Sequence, residues 1–278
     1  MTEKPLPFGV LLRRWRQNRR MTQEDLALAA NSSTRHLSYL ETGRAQPSRD
    51  MVLRLAEHLQ VPLRDQNNML LAAGFAPAFV ERSLAELDAA KLAIDKILQA
   101  HKPYPAFALD RRWNVVLSNS ALPQLYEGCA AELLRKPINA VRLVLHPLGM
   151  GPRIVNFVEW RVHTITILRQ QLEVRPDPVL QALLTEVMSY PAPSGGVAPI
   201  DPEGPQRYAT PLQIATRLGT VSLLNTTTIF GTPTDVTLSE LALEMLFPAD
   251  AATIEIVKRM VDEEPSQQSG DPALQKAG

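Results

Sequence analysis

The stretch from Thr22 to Ser48, TQEDLALAANSSTRHLSYLETGRAQPS, constrains the fold most, because two helix starts and one helix stop follow each other closely in it. Thr22 is placed to cap a first helix, with Gln23, Glu24 and Asp25 in the first turn, where acceptors and negative charge suit the free amides. Leu26, Ala29 and Ala30 then form one narrow apolar face. Ser33 caps a second helix, with Leu37 and Leu40 inward at three-residue spacing, and Gly43 ends it where a left-handed residue is needed. Thr34, Arg35, Ser38 and Tyr39 remain outward. Two short helices joined by a tight turn, with a polar outer face on the second, make a helix-turn-helix, whose second helix enters the DNA major groove.

The flanks complete an all-α five-helix domain over residues 1–80. Phe8 to Arg19 offers Val10, Leu11, Leu12 and Trp15 for burial and Arg13, Arg14, Arg16, Arg19 and Arg20 for solvent. Pro47-Ser48 opens a helix carrying Met51, Val52, Leu55, Ala56 and Leu59, and Pro62 opens another through Leu63, Leu70 and Leu71 to Gly74. Residues 1–80 hold eleven Lys and Arg against seven Asp and Glu, although the whole chain is balanced at 29 against 29. The basic excess sits where DNA would lie. Gln23, Leu26, Ala27, Leu37, Leu40, Glu41, Gly43, Pro47 and Leu55 together resemble the Cro/C1-type helix-turn-helix of the xenobiotic-response-element family of bacterial regulators. Asn31 stands in the turn where that family usually has Gly; Asn also tolerates positive φ.

That resemblance implies roles. Thr34, Arg35 and Tyr39, with Ser38 beside them, are the candidates for base-edge contact, and Arg35 can donate two parallel bonds to a guanine. Gln23, Arg44 and Arg49 are the candidates for phosphate contact. Glu41 reads as structural, and His36 as a packed or surface histidine. One recognition helix reads too few base pairs to select a site, so a homodimer on a double-stranded operator with half-sites ~34 Å apart is expected.

With 278 residues and 45% hydrophobic composition the chain can bury a second core. It has no apolar run of membrane-spanning length and no apolar leader, so no membrane association and a cytoplasmic location are expected. The single cysteine, Cys129, has no internal partner and reads as a small packed hydrophobe. Glu81 to Ala100 carries Leu84, Leu87, Ala90, Ile94, Ile97 and Leu98 at helical spacing and reads as a connecting helix within 81–103. Its stripe could pack on its own second domain or on the same helix of a partner.

From Tyr104 the pattern turns to strand. Ala106 to Leu109 and Trp113 to Leu117 flank a charged turn; Leu212 to Leu218 and Thr220 to Phe230 flank Gly219; Thr237 to Phe247 is undecided between strand and helix. Ile154 to Leu172 and Pro178 to Met188 read as helices. Strands at both ends with helices between imply an α+β domain with an antiparallel sheet and helices on one side. The segments PYPAFALDRRWNVVLSNSA, RLVLHPLG and FGTPTDVTLSELALEMLFPAD resemble the PAS-like ligand-binding domain of MmyB-like regulators, over 104–252. The resemblance implies control by a small apolar ligand such as a fatty acyl chain. Phe107, Trp113 and Phe157 are candidate walls for it, and His146 and Arg161 candidate partners for a polar head. The same apolar residues would equally build a plain core.

Catalysis is not expected. The five histidines have no metal-ligand spacing, and neither a nucleophile elbow nor a phosphate-cradling glycine loop occurs, so no catalytic residue, metal or cofactor is assigned. Ser194-Gly195-Gly196 lies in a proline-rich stretch, 190–211, that reads as a surface loop, and 253–278 reads as a polar tail without fixed structure. The sequence therefore points to a sequence-specific DNA-binding transcriptional regulator controlled by a small apolar ligand. The alternative keeps the DNA contact and makes the second domain a dimerisation or protein-partner platform.

Overall fold

A computed structural model describes residues 6–193, 210–231, 233 and 235–262. In chain order its helices and strands are α1 Phe8–Asn18, α2 Gln23–Ala29, α3 Thr34–Glu41, α4 Arg49–His58, α5 Leu63–Ala72, α6 Asp88–Ala100, β1 Ala106–Leu109, β2 Val115–Ser118, α7 Ala140–Leu145, α8 Phe157–Val174, α9 Pro178–Ser189, β3 Leu212–Thr216, β4 Gly219–Ile229, α10 Val236–Ser239, β5 Ala242–Pro248 and α11 Ala251–Asp262. The described residues divide into two compact units, the first built from those through Ala93 with those of 169–177 and 229–242, the second from those of 94–168, 178–228 and 243–262.

The first unit starts from local capping. Thr22 and Asp25 satisfy each other's amides at the start of α2, Ser33 accepts the His36 N–H at 3.1 Å, and Ser48 accepts the Met51 N–H at 3.2 Å. Asn31 takes φ +50° in the turn between α2 and α3, and Gly43 takes φ +72° after α3, as their sequence positions demand. Leu12, Leu26, Leu37, Leu40, Val52, Leu55, Leu59, Met69 and Leu70 close one core with Phe8 and Trp15. Gly9 is there because α1 presses on α3: a Cβ would meet the Leu40 carbonyl oxygen at 2.5 Å. Two expected faces shift in phase. Val10 and Ala29 are exposed, while Ala27 is buried, because the core sits under Leu26 and Ala30 rather than beneath the whole of α2. Arg16, expected in solvent, is drawn inward by Glu41.

The same unit includes the chain around Asp235. The Asn67 side chain binds the Phe79 carbonyl and the Ala78 and Phe79 amides at 2.7–3.0 Å, fixing the strand-like segment that pairs Val80 with Asp235. Arg64 grips Glu240 with two bonds of 2.8 and 2.9 Å and also contacts Glu81, and Arg175 joins Glu240 to Asp65 at 3.0 Å each. The long connecting helix expected from Glu81 starts only at Asp88, since Ser83 and Glu86 form a capping box around a short 3-10 turn at Leu84–Glu86.

The second unit is a five-stranded antiparallel sheet in the order β2-β1-β5-β4-β3 with helices against it, the PAS-like α+β arrangement expected. β1 and β2 pair Phe107 with Ser118 and Leu109 with Val115, and the β3–β4 hairpin runs from Leu212↔Leu223 to Thr216↔Gly219. The undecided segment 237–247 splits: Asp235 caps the single turn α10, and the chain then enters β5 between β1 and β4. Asn119, 1% exposed, ties β1 to its surroundings by accepting the Ala106 N–H and donating to the Leu98 and Tyr104 carbonyls. The segment from 253, expected to be without fixed structure, begins inside α11, whose start is fixed by Asp250 accepting the Thr253 N–H at 2.7 Å. Ser194-Gly195-Gly196, most of the proline-rich stretch, Thr232 and residues beyond 262 lie outside the described residues.

Candidate functional site

The outer face of α3 carries the expected reading residues. Thr34 and Arg35 are exposed and Ser38 and Tyr39 half-buried. The Arg35 Nε donates to the Tyr39 hydroxyl at 3.1 Å, and its guanidinium carbon lies 5.4 Å from the Tyr39 ring centre, so the arginine is held along the helix before any DNA arrives. His36 is half-buried. Arg44 and Arg49, the phosphate candidates around the loop after α3, are both exposed.

Beneath that face lies an ion pair. Arg16 donates from Nε and Nη2 to the two Glu41 oxygens at 2.6 and 3.0 Å, with the side chains 11% and 2% exposed. Gln23 Nε2 donates to the same carboxylate at 2.8 Å, and Arg16 Nη1 reaches the Met21 carbonyl at 2.8 Å. Burial alone would push the Glu41 carboxyl up, but the bonds from Arg16 and Gln23 with the charges of Arg16 and Arg13 hold it below its ordinary value. The cluster joins α1, α2 and the end of α3. Gln23, a phosphate candidate by sequence, is here a bond donor to Glu41.

The second unit holds an apolar cavity of about 90 Å³ between the sheet and its helices. Phe107, Leu109 and Val115 from β1 and β2, Leu246 from β5 and Leu212 from β3 form the sheet side, and Val141, Val144, Trp160 and Thr164 from α7 and α8 the helix side. Trp113, Leu122, Leu125, Tyr126 and Met150 close it. Its polar end is Glu244 on β5 and Asn225 on β4. Asn225 Nδ2 donates to Glu244 Oε2 at 2.6 Å, and Thr227 donates to the same carboxyl at 3.1 Å. Glu244 is 5% exposed, and this burial pushes its carboxyl up despite the two donors.

Of the sequence-predicted ligand residues, Phe107 and Trp113 are in the cavity wall, while His146, Phe157 and Arg161 are not. The His146 ring accepts the Leu148 N–H at 3.0 Å and meets Tyr190 edge-on, Arg161 donates to the Met188 carbonyl at 2.7 Å, and Phe157 lines a separate space of about 210 Å³ with Pro147, Pro152 and Pro191. Sequence reasoning missed Glu244. A lone acid two residues before Leu246 in an otherwise apolar run was the available signal. Among the described residues, no His, Cys, Asp and Glu group is arranged to hold a metal ion, and no helix is long and apolar enough to cross a membrane.

Residues 7–68 match a helix-turn-helix domain family, and residues 91–260 match the family described as MmyB-like transcription regulator ligand binding domain. None of the curated proteins compared matches the chain. Among solved structures, the clp gene regulator ClgR from Corynebacterium glutamicum is 26% identical over 34% of this chain and 90% of its own, with a TM-score of 0.22. An RNA-binding light-oxygen-voltage receptor is 12% identical over 92% of this chain and 60% of its own, with a TM-score of 0.25. The chain is a DNA-binding transcription regulator and belongs to the family that carries an MmyB-like ligand-binding domain behind a helix-turn-helix.

Proposed function

We propose that the protein binds its operator as a homodimer through Thr34, Arg35, Ser38 and Tyr39, with Arg44 and Arg49 on phosphates, and that a small, largely apolar compound in the second unit sets its affinity for DNA. The observation that carries the ligand reading is the cavity itself: aromatic and aliphatic walls with one polar end, the usual make-up of a small-molecule site. A short acyl chain has the matching polarity. As it stands the cavity is smaller than the ~150 Å³ that holds benzene in an engineered apolar void, so a longer chain needs the walls to open.

The route to DNA is the chain itself. α8 carries the cavity residues Trp160 and Thr164 at its start, and residues 169–177 at its end belong to the first unit. Likewise 229–242, also in the first unit, run directly into Glu244 and Leu246. A ligand that favours one placement of these elements biases the spacing of two recognition helices, and coupling of ~1–3 kcal/mol changes operator affinity ~5- to 150-fold.

The test is selection of bound duplexes from a random library, followed by titration of the selected operator with protein as purified and after removal of any compound detected by native mass spectrometry. A dimer whose operator affinity differs at least fivefold between the two forms supports the reading. Identical affinities would remove ligand control, and a strict monomer on DNA would remove the paired half-site.

A further inference from the structure

The cavity has a chemical bias at its polar end. We infer that it receives an apolar compound ending in a hydroxyl or another neutral hydrogen-bond donor, anchored on Glu244 and Asn225, and that it selects against a free carboxylate. The inference rests on the ligand reading proposed above.

Three observations carry it. First, none of the cavity-lining residues among those described is Lys, Arg or His; the charged group there is the Glu244 carboxyl. A carboxylate head would find no cation there, and beside Glu244 the two carboxyls could share the site only with a proton between them, which an alcohol does not need. Second, two arginines of this unit, among them Arg161, which sequence suggested for such a head, are engaged elsewhere. Arg142 makes two bonds of 2.7 Å to Glu186, and Arg161 donates to backbone carbonyls. Third, the polar end presents acceptors. Asn225 spends its amide nitrogen on Glu244, which leaves its Oδ1 without a partner among the described residues, and Glu244 Oε1, which takes one bond from Thr227 against the two that reach Oε2, keeps a lone pair.

A hydroxyl suits both states of Glu244. It donates to the carboxylate or to Asn225 Oδ1, and it accepts from the carboxylic acid that burial favours. Tyr126, also in the wall and with its hydroxyl unbonded among the described residues, adds a second polar group that an alcohol can use in either direction.

The experiment compares matched probes on the full chain: primary alcohols and carboxylates of four to ten carbons at neutral pH. Trp113 and Trp160, both in the wall, report binding through their emission. The expected result is that, at the best-fitting length, the alcohol binds at least tenfold more tightly than the carboxylate. Glu244→Gln, which keeps the shape and supplies an amide donor, should tighten the carboxylate about fivefold and leave the alcohol within twofold. A carboxylate that binds as well as its alcohol on the unaltered chain would overturn the head-group inference while leaving the cavity a ligand site. An alcohol preference untouched by Glu244→Gln would overturn Glu244 as the anchor. Silence across both series would remove the ligand site itself. The comparison on the unaltered chain decides the central point even if the variant fails to fold.

Discussion

Arg16 on the first helix and Glu41 at the end of the recognition helix form a two-bond ion pair at 2.6 and 3.0 Å, nearly sealed from solvent. Removing one partner strands the other charge in the core, so Glu41→Ala or Arg16→Ala should each cost about 3–5 kcal/mol, against much less for the pair replaced together by Met and Leu. Urea unfolding read from Trp15, which lies in the same core, measures this.

The same pair sets an acid limit. Glu41 titrates below its ordinary value of 4.5 in the folded chain, so its contribution is fully present above that pH and disappears as pH falls through the depressed folded value. Melting of the helix-turn-helix should therefore drop on acidification below about pH 4.5, and Glu41→Gln should flatten that part of the profile.

On DNA, Arg35 and Arg44 should separate. Arg35→Ala removes the group proposed to read a base, one already steadied by Tyr39, and should cost ~1–3 kcal/mol on the best operator while relaxing preference at one base pair. Arg44→Ala should weaken all duplexes alike and lower the salt dependence. Binding titrations on the operator and on single-base variants distinguish them; identical profiles would refute the division of roles.

How far the sequence spoke depended on how local each decision was. The helix-turn-helix was legible because its caps, Thr22, Ser33 and Ser48, lie within three residues of what they cap. Arg16 was not singled out among five arginines because its partner lies 25 positions away. Ser83 and Glu86 were a readable capping box, passed over for the longer apolar stripe. β5 could not be told from helix by period, since its pairing between β1 and β4 decides it, and with it went Glu244. Phe107 and Trp113 lie in the cavity wall because they sit on a clear hairpin, whereas the polar groups of His146 and Arg161 are taken up by the Leu148 amide and the Met188 carbonyl.

Filling the cavity separates ligand binding from folding. Val144→Phe, on the α7 wall, adds apolar volume where space of about 90 Å³ exists, so stability should stay within ~1 kcal/mol of the unaltered chain. Binding of the hexyl and longer probes should be lost in the same variant. Retained binding with unchanged stability would place the ligand elsewhere.

Glu240 gives the last prediction. Two arginines, Arg64 from α5 and Arg175 just beyond α8, share its carboxylate, which is only 13% exposed. Glu240→Ala leaves both guanidiniums facing each other with Asp65 and Glu81 as the remaining partners, so the cost is not that of one surface pair, ~0–1 kcal/mol, but of a half-buried network losing its centre, ~2–3 kcal/mol. Glu240→Gln should recover part of this by accepting one bond. Because 169–177 and 229–242 belong to the same unit as the helix-turn-helix, the loss should appear as earlier exchange of the Val236 amide, which donates to the Val80 carbonyl at 2.9 Å and lies four residues before Glu240. Hydrogen exchange resolved by residue reads this directly, and unchanged protection at Val236 with lowered global stability would assign the network to general packing instead.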